Sequence, residues 1–353
     1  MKNVNNLLLK ENNSIREVLR QVERGGKKIV FIVDDNNKLI GAISDGDIRR
    51  WILNNGDLSS NLTNVCNYNP KYIEEDYKIN DVKQLMLDCS IELVPIVDKN
   101  RRVVGIIEWE DLFQKKRKEE YTQIDLPVVI MAGGKGTRLD PFTRIFPKLL
   151  IPIGDKPIVE IIMDEYAKYG MTKFYLSINH KAKMVKTYFE DFKCDYKINF
   201  IEEDKPLGTA GSLKFLEGKI DSPFFISNCD IIIKDDYTKI YDFHKKGDYA
   251  LTMVASMQHH TIPYGVCEIE NGGDLKSITE KPQYDFLVNT GMYLLDPEVL
   301  NYIPENEFYH ITHLMGKLKK EGLKIGVYPV SEKSYIDVGQ WKEYKKAVEN
   351  FNI

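Results

Sequence analysis

Apolar positions follow two different rhythms along this chain. In the first third the pattern repeats itself. Shifting the sequence by 64 residues superposes Asn13–Ile48 on Tyr77–Leu112 without a gap, with ten of 36 positions identical. The matches include Ile15/Ile79, Val18/Val82, Val33/Val97, Asp34/Asp98, Gly41/Gly105 and Asp47/Asp111. Each copy reads as an amphipathic helix, an apolar strand (IVFIVD; LVPIVD), a polar turn, a second strand (KLIGAIS; RVVGIIE) and a second helix. Two copies of a period this long predict a paired pseudo-dimer rather than a solenoid.

From Leu126 the rhythm changes to apolar runs alternating with amphipathic stretches. PVVIMA, KFYLSI, KINFIE, PFFISN, YALTMVAS and FLVNTGMYLL read as strands. A helix is expected after Pro157, with Ile158, Ile161, Ile162 and Tyr166 on one face. Further helices are expected at Ala182–Phe192, Ala210–Glu217, Ile311–Lys320 and Gln340–Phe351, and Asn271–Asp274 reads as a hairpin turn. This alternation predicts a mainly parallel α/β sheet with ligands at the carboxyl ends of its strands. The polar run FQKKRKEEYTQID between the two regions is expected to extend the last helix of the repeat pair as a semi-rigid spacer. The expected domains are 1–118 (copies 1–58 and 59–118), a linker 119–126, and 127–353.

Composition narrows the classes. The 49 Lys+Arg against 53 Asp+Glu leave a net charge of −4, which argues against a whole-surface grip on nucleic acid or on an anionic membrane. No segment approaches the ~18 consecutive apolar residues of a membrane helix, and the short Leu run near the N-terminus does not make a signal peptide. The five cysteines form no CxxC pair, consistent with free thiols in a reducing cytosol; a cytoplasmic protein is expected. The histidines His310 and His313 form an HxxH with no third metal ligand in view, and read as packing or surface residues.

The strongest chemical signal is the loop after the first strand of the second region, Ala132-Gly133-Gly134-Lys135-Gly136-Thr137-Arg138-Leu139. Glycines there let backbone N–H groups approach an anion. A Walker loop (GxxxxGK[ST]) is absent, and Leu139 breaks the dinucleotide fingerprint. GGxGTRL followed by FPKLLIP remains, bringing Arg138, Arg144 and Lys148 to one loop.

AGGKGTRLDPFTRIFPKLLIPIGDKPI resembles the signature of sugar-1-phosphate nucleotidylyltransferases, which join a nucleoside triphosphate to a sugar 1-phosphate and release pyrophosphate. The resemblance implies a Rossmann-like mixed α/β sheet. By this resemblance Arg138 and Lys148 are catalytic, Arg138 stabilising the departing pyrophosphate and Lys148 reaching the α-phosphate and the sugar phosphate. Ala132, Gly133, Gly134, Gly136 and Thr137 would bind the nucleotide. A divalent cation, Mg²⁺, is implied, on Asp230 of PFFISNCD and Asp337 of YIDVGQW. Glu203, Gly208 and Thr209 in IEEDKPLGTAG match the base-reading segment. A carboxylate there accepts guanine N1–H and N2–H₂ together, so GTP is the expected donor. Gly265 of PYGV, Glu280 and Lys281 of EKP, and Asn289 of VNTGMY match the sugar side.

The first region is similar to a tandem pair of cystathionine-β-synthase-type (CBS) repeats, an α+β module. The pattern stands as Val33-Asp34, Gly41 and Ser44-Asp45-Gly46-Asp47. The resemblance implies one adenine-nucleotide site using Ser44 and Asp47, although Asp47 also reads as a cap of the helix that follows it. Glu108 replaces the hydroxyl residue in the second copy, and a carboxylate there would repel a phosphate. CBS-fused chains of this kind resemble guanylyltransferases that supply GDP-activated amino sugars for legionaminic-type glycans. The expected acceptor is glucosamine 1-phosphate, followed by mannose 1-phosphate and a heptose 1-phosphate. A homo-oligomer is expected, and no hexapeptide-repeat acyltransferase tail is seen. A catalytically inactive nucleotide sensor is the rival reading; such a protein would be expected to lack the loop Arg, the Lys or a metal Asp.

Overall fold

The computed structural model describes residues 4–113, 121–134, 136–192 and 195–351. The chain divides into two compact units, Met1–Glu120 and Tyr121–Ile353.

In the first unit the repeat is visible hydrogen bond by hydrogen bond. Copy one contains β1 (Leu8–Lys10), α1 (Ile15–Gly25), β2 (Ile29–Val33), β3 (Leu39–Ser44) and α2 (Asp45–Leu53). Copy two contains β4 (Ile73–Glu74), α3 (Ile79–Cys89), β5 (Leu93–Val97), β6 (Val103–Glu108) and α4 (Trp109–Phe113). Each forms a three-stranded sheet of the same order, β1-β2-β3 and β4-β5-β6. Asp34 Oδ1 accepts from the amides of Asn36 (2.9 Å) and Lys38 (2.8 Å), and Asp98 Oδ1 accepts from Asn100 and Arg102, both at 2.8 Å. The repeated Asp therefore closes an Asx turn in both copies. The two turns also exchange bonds: Leu39 N donates to Arg101 O (2.8 Å) and Val103 N to Asn37 O (3.0 Å), a pseudo-twofold pair. Leu7, Phe31, Val33, Leu39, Ala42, Leu93, Val97 and Val103 form one buried cluster drawn from both copies, so neither copy completes its core alone.

The expected spacer lies largely outside the described residues at 114–120, and residues 121–127 carry neither helix nor strand.

The second unit begins with β7 (Val128–Met131), then α5 (Phe142–Ile145), the short pair β8 (Pro152–Ile153) and β9 (Lys156–Pro157), α6 (Ile158–Ala167), β10 (Lys173–Ile178), α7 (Ala182–Asp191) and β11 (Lys197–Glu202). It continues with α8 (Gly208–Gly211), β12 (Phe224–Asn228), β13 (Ile231–Ile233), α9 (Tyr237–Gly247), β14 (Leu251–Thr261), β15 (Val266–Ile269), β16 (Leu275–Thr279) and β17 (Gln283–Leu295). Then come α10 (Ile311–Lys320), β18 (Ile325–Val330), β19 (Tyr335–Asp337) and α11 (Trp341–Phe351). The central sheet runs β11-β10-β7-β12-β17-β14-β18. It is mixed: β17 pairs antiparallel with both β12 and β14, and the other neighbours are parallel.

Period-two alternation sorts the core onto the two faces of the sheet. Val128, Ile130, Phe174, Leu176 and Phe225 pack with Ile158, Ile162 and Tyr166 of α6 and Ile240 of α9 on one face. Val129, Tyr175, Phe224, Ile226 and Tyr293 pack with Leu314 and Leu318 of α10 on the other. The chain leaves β7 toward β10 and β11, then crosses back to place β12 on β7's other side. That reversal is a topological switch point, and in open α/β sheets ligands bind beyond the carboxyl ends of the strands at such a point.

Candidate active site

Four loops at the carboxyl ends of the parallel strands carry most of the expected residues. After β7, Ala132 is 5% exposed and its amide is tied to Ser177 O at 2.8 Å. A Cβ on Gly133 would meet Glu203 Oε1 at 2.9 Å, whereas one on Gly134 would find open space. Gly136 has φ +69°, a left-handed conformation, and Thr143 and Lys148 close in behind it. Lys135 lies outside the described residues. Thr137–Leu139 form a single 3₁₀ turn that seats Leu139 in the core and leaves Arg138 projecting, 61% exposed.

The loop meets the second strand end at Asp230. This residue lies in the turn between β12 and β13, two positions beyond the strand's last residue rather than on the strand. Its side chain is 5% exposed, and Lys148 Nζ donates to Oδ2. Arg138 stands 3.6 Å from the same oxygen. Arg144 instead pairs with Asp140 at 3.2 Å and is 74% exposed.

Asp337 arrives from a separate stretch of chain. β13 and β19 pair antiparallel with Ile231 opposite Asp337, and Val338 N donates to Asp230 O at 2.9 Å. Asp337 Oδ1 accepts from Gly339 N at 2.8 Å. Burial pushes the Asp337 carboxyl above its usual range; the Gly339 amide pulls it down, and Asp230 pushes it up again. Two carboxylates brought together across 107 positions of sequence, with two cations leaning on one of them, form a hard-oxygen donor set of the kind Mg²⁺ takes alongside phosphate oxygens. The residues therefore fit the implied cation. Among the described residues no group of three or more His, Cys, Asp or Glu forms a closed metal cage.

The segment expected to read the base is built around Glu203 and packed against residues 304–310. Glu203 is 7% exposed; Ser177 Oγ donates to its Oε1 and Leu207 N to its Oε2 at 2.9 Å. Ser177 also reaches Ser212 Oγ at 3.1 Å. Each carboxylate oxygen thus already serves the protein and keeps one further lone pair. Residues 304–310 lie across the segment as a strap. Tyr309 N donates to Leu207 O (2.8 Å), and Tyr309 O accepts from Ala210 N (2.9 Å) and Gly211 N (3.1 Å). A Cβ on Gly208, which has φ +80°, would meet Tyr309 O at 2.7 Å, and one on Gly211 would meet Glu307 O at 2.6 Å. Both glycines therefore lie against the strap, where a side chain would collide with its backbone. The Thr209 hydroxyl accepts from Ile311 N at 3.0 Å, at the start of α10, and His310, within the HxxH, caps that helix.

On the sugar side Gly265 and Glu280 come together: a Cβ at Gly265 would meet Glu280 Oε2 at 3.0 Å. Lys281 follows with φ 46°. Asn289 sits where β14 and β17 shift register, since Val254 pairs with Met292 but Ala255 pairs with Asn289. The bulge is held by Thr290 Oγ1 donating to Val254 O at 2.8 Å. Asn289 Nδ2 donates to Tyr293 Oη at 2.7 Å and Oδ1 accepts from Gly291 N at 3.0 Å, so the side chain is held in one orientation.

In the first unit Ser44 and Asp47 form a capping box at the start of α2. Ser44 N and Oγ donate to Asp47 Oδ2 at 2.8 and 2.6 Å, and Asp47 N donates back to Ser44 Oγ at 3.3 Å. Copy two keeps half of this, Glu108 N donating to Asp111 Oδ2 at 3.0 Å, while Lys27 pairs with the Glu108 side chain at 2.9 Å.

Sequence reasoning missed Ser177, Ser212, Gly339 and the strap. The serines carry no motif, and the strap binds through its backbone, which side-chain patterns do not report.

Comparison with known proteins agrees with this architecture. A family model described as Nucleotidyl transferase matches residues 127–352, and one described as CBS domain matches residues 3–54 and 62–118. The chain belongs to the nucleotidyl transferase family, with a pair of CBS repeats preceding the transferase domain. It is similar to a UTP–glucose-1-phosphate uridylyltransferase of Synechocystis, 29% identical over 63% of this chain and 62% of that protein. It is also similar to a mannose-1-phosphate guanyltransferase of Aspergillus oryzae, 32% identical over 62% of each chain. A mannose-1-phosphate guanyltransferase of Saccharomyces cerevisiae is 34% identical over 50% of this chain and 51% of its own. The chain therefore spans between half and two thirds of the length of these relatives. Among solved structures, HddC from Yersinia pseudotuberculosis superposes with a TM-score of 0.52 at 28% identity, over 64% of this chain and all of that one. No helix among the described residues is long and apolar enough to cross a membrane.

Proposed function

We propose that this chain is a sugar-1-phosphate nucleotidylyltransferase whose CBS pair regulates it. The observation that carries the reading is the convergence of Lys148 and Arg138 on Asp230, with Asp337 delivered beside it by the β13–β19 pairing. The reaction is an in-line displacement at the α-phosphorus by a sugar phosphate oxygen, with pyrophosphate leaving. Every partner is anionic, so alignment and charge neutralisation do most of the catalytic work. Lys148, 12% exposed and anchored on Asp230, holds the α-phosphate and the sugar phosphate against their mutual repulsion. Arg138, projecting from its 3₁₀ turn, takes the β- and γ-phosphates and the departing pyrophosphate. Ala132, Gly133, Gly134, Gly136 and Thr137 present backbone to the triphosphate, and Gly134 has the space for it. A Mg²⁺ held by Asp230 and Asp337 would supply further neutralisation of the phosphates. Gly265, Glu280, Lys281 and Asn289 form the sugar side.

GTP is the donor we assign. Glu203 retains one acceptor lone pair on each oxygen for guanine N1–H and N2–H₂, and two of the relatives are named guanyltransferases. Glucosamine 1-phosphate is the first acceptor; mannose 1-phosphate is the second reading, favoured by those same names. Adenine nucleotide at Ser44 and Asp47 is the proposed CBS effector, and its arrival would have to open the capping box. The protein is proposed to act in the cytoplasm as a homo-oligomer. A grid of nucleoside triphosphates against sugar 1-phosphates, read as pyrophosphate release, tests the assignment. Preference for GTP with glucosamine 1-phosphate is expected, and preference for UTP or dTTP would remove the role given to Glu203.

A further inference from the structure

Gly339 has no function in the family signature as read from sequence, and its backbone does not require a glycine, since its φ is not positive. The space around it does. A Cβ built on Gly339 would overlap Asp230 Oδ2 and meet Asp337 Oδ1 at 3.0 Å. The same residue's amide donates to Asp337 Oδ1 at 2.8 Å. Both carboxylates therefore close on one Cα, one touching its bare face and the other held by its N–H. Asp230 has little room to retreat: its side chain is 5% exposed, Lys148 grips Oδ2, and its carbonyl is bonded to Val338 N.

We infer that Gly339 is a positioning residue that sets the separation of Asp230 and Asp337, and with it the affinity of the site for a divalent cation. The inference rests on the reading of those two aspartates as cation ligands. A methyl group at position 339 must push the Asp230 carboxylate toward Lys148 or tilt β19 away from β13. Either movement spoils a donor pair whose spacing a small hard cation demands. Outer-shell changes of this kind typically weaken metal binding by roughly ten- to hundredfold.

The test is Mn²⁺ titration of the full-length chain, followed by electron paramagnetic resonance of the free ion. Asp230→Asn, which removes ligand charge without adding bulk, sets the scale. Gly339→Ala is expected to lose Mn²⁺ affinity by roughly tenfold or more, measured on protein whose circular dichroism shows it to be folded. Unchanged Mn²⁺ affinity in Gly339→Ala, with Asp230→Asn impaired, overturns the inference and leaves the cation reading standing. Failure of the wild-type chain to bind Mn²⁺ overturns both. If Gly339→Ala does not fold, the wild-type chain labelled with carbonyl-¹³C valine and ¹⁵N glycine still decides the matter. The sequence has two Val-Gly steps, Val104-Gly105 and Val338-Gly339. Titration with Mg²⁺ should shift one of the two amide signals and leave the other in place; two unmoved signals overturn the inference.

Discussion

At the scale of single residues, the proposed chemistry centres on one carboxylate with two cations. Asp230 is almost fully buried, and a buried charge is tolerable only when paired; Lys148 and Arg138 supply the pairing. Arg138→Ala and Lys148→Ala are each expected to lower turnover by roughly 10²–10³, the usual cost of removing a pre-organised donor to developing charge. Steady-state pyrophosphate release measures this, and near-normal rates in both variants would remove their catalytic roles. The cysteines give a prediction independent of function. Burial pushes the Cys66 thiol up to about 11 and the Cys229 thiol up to about 12, so at pH 8 both are overwhelmingly protonated and poorly nucleophilic. Cys267 is exposed. Alkylation at pH 8, mapped by mass spectrometry, should modify Cys267 well before Cys66 and Cys229, and raising the pH toward 11 should narrow the gap for Cys66.

At the scale of elements, the sequence was informative wherever a side chain had to satisfy its own neighbourhood. The repeated Asp34 and Asp98 are legible because each closes an Asx turn, and α6 is legible because Ile158, Ile162 and Tyr166 all face one core. Ala210–Glu217, read as one helix, is instead a single turn at Gly208–Gly211 followed by a 3₁₀ segment, Ser212–Leu216. The strap's carbonyl at Tyr309 accepts from the amides of Ala210 and Gly211, first-turn donors with no partner inside the helix, a contact made about 100 residues away by backbone atoms. Gly208→Ala should test that contact directly. It places a Cβ against Tyr309 O at a residue with φ +80°, so a stability loss of more than about 1 kcal/mol is expected. Chemical denaturation measures it, and an unchanged midpoint would mean that the strap yields. Sequence shows that Gly208 permits close approach, and the structure adds that Tyr309 is one of the groups that approaches it.

At the scale of the whole molecule, a chain of net charge −4 still gathers Arg138, Arg144 and Lys148 into one loop, where the proposed substrates would bring their phosphates. The division into a repeat pair and an α/β unit was open to reading because the self-match and the strand–helix alternation are both long-range patterns. The convergence of Asp230 and Asp337 was reached through family resemblance, since no local pattern spans 107 residues. The effector role proposed for the CBS pair makes a separate prediction. AMP, which lacks the triphosphate of a donor substrate, should bind the full chain in isothermal titration, and Ser44→Ala should weaken that binding. The same substitution removes a helix cap, costing about 1 kcal/mol. Absence of AMP, ADP and ATP binding beyond the catalytic site would leave the pair a structural module. The central claim is nucleotidyl transfer, and the most direct measurement is pyrophosphate release by the purified full-length chain with GTP, glucosamine or mannose 1-phosphate, and Mg²⁺. Release that requires both substrates and stops on addition of EDTA is the expected result. No release with any triphosphate and sugar 1-phosphate pair would contradict the account and favour a catalytically silent sensor.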